Sequence, residues 1–363
     1  MTDLGTRTHP YVGLPDYQFW KNEPGIREPG LFDPVVSTSF VLAKDEPVVT
    51  AGSCFAQHVA RYLANSGFNF LVTEKCHPLF SSELAAAFNF NTFSARYGNI
   101  YTARQMKQLI QRAYGEFVPL ESAWVGKGSR IVDPFRPQIQ KRGFINEQEL
   151  ICDRKAHFAS VRSALEQMSV FVFTLGLTEA WIDARDGAVF PIAPGVAGGQ
   201  FDVEKYRFKN FELDEIVADL QWCLDRIRSF NPDVKVILTV SPVPLNATAL
   251  NRHVFTSTTY SKAVLRVAAE QICRSNALCD YFPSYEIITS PYVRGRYYGP
   301  DCREVNDEGV NHVMSLFLKH YGDVQRDDLP AREVDNNLAI SEHINEMQKI
   351  VEVLCDEEAI TNR

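Results

Sequence analysis

The 363-residue chain is 45% hydrophobic and 23% charged, the balance of a globular protein with one large domain or two and a substantial core. Its net charge of −8, with no basic stripe, argues against nucleic acid as a partner. Residues 1–10 are polar, no apolar run approaches the roughly 20 residues of a membrane span, and the eight cysteines show neither a CxxC pair nor zinc-ligand spacing. These features predict a cytoplasmic protein with free thiols, no metal and no membrane span.

Residues 1–45 are rich in proline, glycine and aromatics (Tyr11, Tyr17, Phe19, Trp20) and read as an arm lying over the main domain, with 1–10 alternatively a disordered leader. A β-branched run at 48–51 predicts a strand. Gly52 ends it, and Ala56, Val59, Ala60 and Leu63 then recur at helical spacing to about 65. Residues 68–72 alternate like a second strand. The stretch 77–102 sets Asn89, Asn91 and Asn99 among aromatics and reads as irregular and polar-lined; 103–112 reads as a helix with Met106, Leu109 and Ile110 as its stripe. Residues 115–147 carry Trp124, Arg130, Asp133, Phe135 and Arg136 without periodicity, an insertion over the sheet edge suited to holding a substrate. Helices are predicted at 146–168, 212–230, 261–274 and 306–321, and buried strands at 170–175, 234–240 and 278–282; 190–201 reads as a Gly/Pro-rich surface loop, or lid. Strands alternating with helices give an α/β fold, a three-layer α/β/α sandwich with a mainly parallel sheet, which binds ligands beyond the carboxyl ends of its strands. The predicted division is an arm at 1–45, a core at 46–325 with insertions at about 77–147 and 185–210, and a helical tail at 326–363. In the tail, Ile340, Ile344, Met347, Ile350, Val351 and Leu354 form a stripe that docks on its own domain or pairs with a second subunit in a homodimer.

The stretch 48–58 is strand, sharp turn and helix. It presents Cys54 at the positive end of a helix dipole, where a thiolate is favoured; the plainer reading is a tight turn of small residues with an ordinary buried thiol. Gly52-Ser53-Cys54-Phe55-Ala56 is the signature that names the GSCFA family, which resembles a branch of the SGNH/GDSL hydrolases. Tyr97-Gly98-Asn99-Ile100-Tyr101-Thr102, Thr174-Leu175-Gly176-Leu177-Thr178-Glu179, Ser241-Pro242-Val243-Pro244 and Tyr281-Phe282-Pro283-Ser284-Tyr285-Glu286 are similar to that family too, so that the resemblance runs from about residue 15 to about 320.

The resemblance implies an SGNH hydrolase/flavodoxin-like sandwich and acyl-ester chemistry. Laid on the superfamily's Gly-Asp-Ser turn, the nucleophile falls on Cys54, or on Ser53 if the register slips by one. Gly98, with Asn99 beside it, occupies the second donor block, or is a turn glycine. Gly176, Thr178 and Glu179 stand in the third, with the Thr178 hydroxyl an oxyanion donor, a helix N-cap, or both. The last block should read Asp-x-x-His, but here it is Asp301-Cys302-Arg303-Glu304, and a carboxylate with a pKa of about 4 is a poor general base. His58, one helical turn beyond Cys54, would supply the base with Asp301 or Glu304 orienting its ring, or is structural. His312 either reaches back to the site or is solvated. Arg96, Arg136 and Arg303 would hold an anion or form ordinary ion pairs; Trp124 and the aromatics near 88–101 would stack on a sugar or belong to the core. The function expected is ester hydrolysis or O-acyl transfer on a small-molecule or glycan ester, without a cofactor unless transfer uses a donor such as acetyl-CoA. The alternative is a non-catalytic glycan- or protein-binding module.

Overall fold

Four strands, three of them made almost wholly of apolar residues, pair in parallel to form the central sheet. The computed structural model describes residues 9–322 and 355–360. In chain order the elements are β1 (Val48–Gly52), α1 (Phe55–Asn65), α2 (Ser82–Ala87), α3 (Ala103–Ala113), β2 (Trp124–Val125), β3 (Ile131–Val132), α4 (Glu147–Gln167), β4 (Val170–Leu175), β5 (Glu179–Asp183), β6 (Val189–Phe190), β7 (Tyr206–Asn210), α5 (Leu213–Arg228), β8 (Lys235–Val240), α6 (Val254–Ser275), β9 (Cys279–Tyr281), α7 (Ser284–Thr289) and α8 (Asp307–Tyr321). The sheet order is β1-β4-β8-β9. Val48, Val170, Val172 and Ile237 face one core with Phe55, Val59, Val313 and Phe317 of α1 and α8. Val49, Phe171, Phe173, Val236 and Leu238 face the other, with residues of α3, α4, α5 and α6. Strands buried on both faces are why these runs are continuously apolar rather than alternating. The expected three-layer arrangement is therefore present.

Some elements differ from the expectation. Residues 68–72 form a single bridge, Phe70 to Val48, rather than a strand. Helix α6 begins at Val254, not 261, because its first turns are rich in serine and threonine and show no apolar period. Part of the expected loop and insertion at 185–210 is an antiparallel sheet of order β6-β5-β7, which encloses Trp124, Phe190 and Tyr206 in a small core. Trp124 is 1% exposed there, so it serves the core and is not a sugar platform.

From residue 9 onward the N-terminal segment makes short 3-10 turns. Trp20 and Phe32 rest on Tyr292, and Asp33 takes Lys319 and His320 of α8. The apolar stripe of the tail, 340–354, and with it the subunit-pairing reading, lies outside the described residues. No helix among the described residues is long and apolar enough to cross a membrane.

Candidate active site

Gly52 makes the site possible. Its φ of +137° is open to glycine alone, and a Cβ there would stand 2.3 Å from the Thr174 carbonyl oxygen. The chain turns under β4, Ser53 N donating to that same oxygen at 3.2 Å, and enters α1 through Ala56 N to Ser53 O at 2.8 Å. Cys54 thus sits at the carboxyl end of β1 and the positive end of α1. Both Cys54 and Ser53 are buried, at 6% and 3% exposure. Ser53 lies against Gly176, where any side chain would strike its Cβ, and its hydroxyl has no hydrogen-bond partner among the described residues.

Cys54 instead faces polar groups. Its thiol neighbours the thiol of Cys355, and Arg303 Nη2 reaches that Cys355 sulfur at 3.5 Å. Arg303 also pairs with Glu357 at 3.1 Å, whose carboxylate accepts from Asn246 N at 3.2 Å. Alongside, Asp356 Oδ2 accepts from Asn99 Nδ2 at 3.0 Å and from the Tyr101 hydroxyl at 3.5 Å. Asn99 is held by Gln57 Nε2 at 3.0 Å, while Ile100 N to Gly52 O at 2.7 Å fixes its loop to β1. Lys262, fully buried on α6, donates to Gly176 O at 2.7 Å. Segment 355–360 therefore occupies the cleft beyond the strand ends, with Ala359 and Ile360 resting on the Trp124 core.

The electrostatics follow from burial and this pairing. The neighbouring Cys54 thiol first, and then the Arg303 guanidinium, bring the Cys355 thiol down to about 5 against the opposing effect of burial. Cys54, next to that sulfur and buried, is pushed well up. Burial raises the carboxyls of Asp356 and Glu357 to about 7 and lowers Lys262 to about 8. If Arg303 shares in holding the negative charge on Cys355, Arg303→Gln is expected to raise the midpoint of iodoacetamide alkylation at Cys355 above about 5, read by peptide mass spectrometry across pH. An unmoved midpoint would assign the lowering to Cys54 alone.

Other expected residues lie elsewhere. His58 makes no hydrogen bond among the described residues. Its ring packs 5.7 Å from Phe55, and burial beside Arg61 holds it neutral, with a pKa of about 4; the expected Cys54–His58 couple is not formed. Asp301 organises an exposed turn, accepting from Arg303 N at 3.0 Å and Glu304 N at 3.1 Å. Glu304 is exposed, so it is the arginine of this block, not its carboxylates, that reaches the thiols. Gly98 adopts φ +71° with open space where a Cβ would be, consistent with a turn role. Thr178 immediately precedes strand β5 rather than a helix, so it is not an N-cap; its amide donates to Ser261 Oγ at 3.0 Å and its buried hydroxyl has no partner among the described residues. Glu179 accepts from Thr248 Oγ1 at 2.8 Å. His312, half-buried, meets the Tyr297 hydroxyl at 2.8 Å. Arg96 and Arg136 are buried in an internal ion network with Asp153, not in the cleft.

The GSCFA family matches residues 47–317, a span that holds β1, the Gly52–Cys54 turn, Asn99, Lys262 and Arg303. The chain belongs to the GSCFA family. Among solved structures, the Clostridium thermocellum family 3 carbohydrate esterase is similar at 10% identity with a TM-score of 0.26, covering 76% of this chain and 95% of that one. No curated protein sequence matches the chain. In this GSCFA protein the signature pentapeptide is the turn itself: glycine for the approach to β4, serine packed under Gly176, cysteine aimed into the cleft.

Sequence reasoning had singled out Cys54, Asn99 and Arg303. It missed Lys262, Tyr101 and segment 355–360. A signal existed for Lys262, which lies on the face of α6 that buries Leu265, Ala269 and Ile272, where a lysine needs a polar reason to be. Cys355, Asp356 and Glu357 carried no local signal, because their place beside Cys54 is set by a return of the chain from far along the sequence.

Proposed function

We propose that the protein is an acyl-ester hydrolase or O-acyltransferase whose nucleophile is Cys54, acting on an ester of a carbohydrate or glycoconjugate. The observation that carries this reading is the convergence of donors beside a thiol at a helix N-terminus: Asn99 Nδ2 and the Tyr101 hydroxyl meet on one oxygen of Asp356. A substrate's acyl oxygen would take the place of that carboxylate oxygen, and the same donors would then hold the developing oxyanion. Lys262, with its pKa brought down to about 8, would accept the Cys54 proton and return it to the departing alkoxide. The resulting thioester would pass its acyl group to water or to an acceptor hydroxyl. Transfer would draw on a donor such as acetyl-CoA, and hydrolysis requires no cofactor. Segment 355–360 must leave the cleft before a substrate can enter.

The second reading, a glycan- or protein-binding module, is favoured by one feature: no histidine hydrogen-bonds to Cys54 among the described residues. The two separate on exposure to p-nitrophenyl acetate. The catalytic reading expects an acyl adduct by intact mass that disappears in Cys54→Ala and persists in Ser53→Ala. An adduct lost only in Ser53→Ala would move the nucleophile by one residue. No adduct and no release of nitrophenol would leave the binding module.

A further inference from the structure

The most unusual feature of the cleft is the second thiol brought to Cys54 by segment 355–360. The Cys54 and Cys355 thiols lie close enough that each is the strongest influence on the other's ionisation. Both are buried, at 6% and 7% exposure, and Arg303 stands against the second sulfur at 3.5 Å. The segment is held there by four side chains from three separate parts of the chain: Asn99 and Tyr101, Asn246, and Arg303. We propose that Cys54 and Cys355 form a redox couple that a hydroperoxide oxidises to a disulfide, which ties segment 355–360 into the cleft.

The chemistry needs one thiolate to attack and one thiol to resolve, and the two sulfurs differ in that way. Cys355, charged against Arg303, attacks an oxygen of the hydroperoxide. The O–O bond breaks, the leaving oxygen takes up a proton, and Cys355 becomes a sulfenic acid. Cys54 then attacks the Cys355 sulfur, losing its proton as the S–O bond breaks and water leaves. The two thiols are together oxidised by two electrons and hydrogen peroxide is reduced to two waters. An internal comparison is available. Cys273 and Cys279 lie with their sulfurs 3.5 Å apart, yet Cys273 is pushed upward by its neighbour thiol and by burial, with Asp280 and Glu270 adding to the rise. That pair has proximity without a cation, so it should react more slowly.

The full chain would be treated with hydrogen peroxide near neutral pH, unfolded in the presence of an alkylating agent, digested and mapped by mass. The expected result is one dominant cross-link, Cys54–Cys355, reversed by dithiothreitol and formed faster than any Cys273–Cys279 bond. In Arg303→Gln the cross-link should form at least about tenfold more slowly, because the attacking thiolate loses its counter-ion. Separate sulfenic or sulfinic acids on the two cysteines without a cross-link would overturn the proposal. So would a cross-link confined to Cys273–Cys279, or unmodified thiols. The readout uses no acyl donor, so the couple stands if p-nitrophenyl acetate leaves no adduct. Only its corollary, that the oxidised protein resists acylation until reduced, rests on the acyl reading.

Discussion

Replacing Asp133 with alanine is expected to lower the free energy of unfolding by about 3–5 kcal/mol, the cost of leaving buried charge uncompensated. The Asp133 side chain is fully buried. It accepts from Arg136 Nε at 3.0 Å and Arg154 Nη2 at 2.9 Å, and also from the amide of Phe135 at 3.1 Å. These cations, with Arg112 close by, hold its carboxyl far below the usual carboxylate range against the opposing effect of burial. Without it, the buried guanidiniums of Arg112, Arg136 and Arg154 face one another. The consequence reaches the candidate site. Arg136 Nη1 donates to the Arg96 carbonyl at 3.2 Å and its Nη2 pairs with Asp153 at 2.6 Å, as Arg96 does at 3.0 Å. Arg96 begins the turn that delivers Asn99 and Tyr101. Urea denaturation should show a lower midpoint at unchanged slope, and amide exchange at 97–101 should quicken. A loss below about 1 kcal/mol would mean the arginines relax into water.

The same network shows why the fold was more legible than the site. Strands 48–51, 170–175 and 234–240 announce themselves because both faces of the sheet are covered, and that requirement writes itself into consecutive residues. The antiparallel sheet at 179–210 does not, since two of its strands are half-polar and the third has two residues. For the site, Cys54 was visible because a β-branched run stops at Gly52, two residues before it, and a helical apolar period begins just after it. Lys262, Arg303 and Glu357 meet only through tertiary structure. From sequence, Arg96 and Arg136 are either holders of a ligand anion or ordinary ion-pair arginines, and they are the latter. The anions are the protein's own Glu74, Asp133 and Asp153, and nothing in local sequence distinguishes an internal carboxylate from a ligand.

Acidification from pH 6.5 to pH 4 is expected to remove on the order of 3 kcal/mol of stability through His157 alone. This ring is 1% exposed. Burial, and secondarily the charge of Arg136, lowers it from 6.5 to about 4, although the Glu74 carboxylate 2.7 Å from Nδ1 pulls the other way. The unfolded chain therefore binds a proton across this window that the folded chain refuses, so stability is complete above pH 6.5 and declines as pH falls toward 4. His58 adds in the same direction, by less, since its ring is only half-buried. Glu74, itself held to about 2 by its partners, extends the decline from pH 4.5 downward. His157 Nε2, without a partner among the described residues, borders a cavity of about 20 Å³ shared with Tyr97, Asn99 and Arg136, large enough for one water. Protonation there would place a cation beside Arg136 and behind the residue that donates into the cleft. His157→Gln should cost stability at pH 7 yet flatten the slope between pH 6.5 and 4 in urea melts taken at half-unit steps. A slope unchanged from the parent protein would assign the acid sensitivity to other groups and leave His157 an ordinary packed ring.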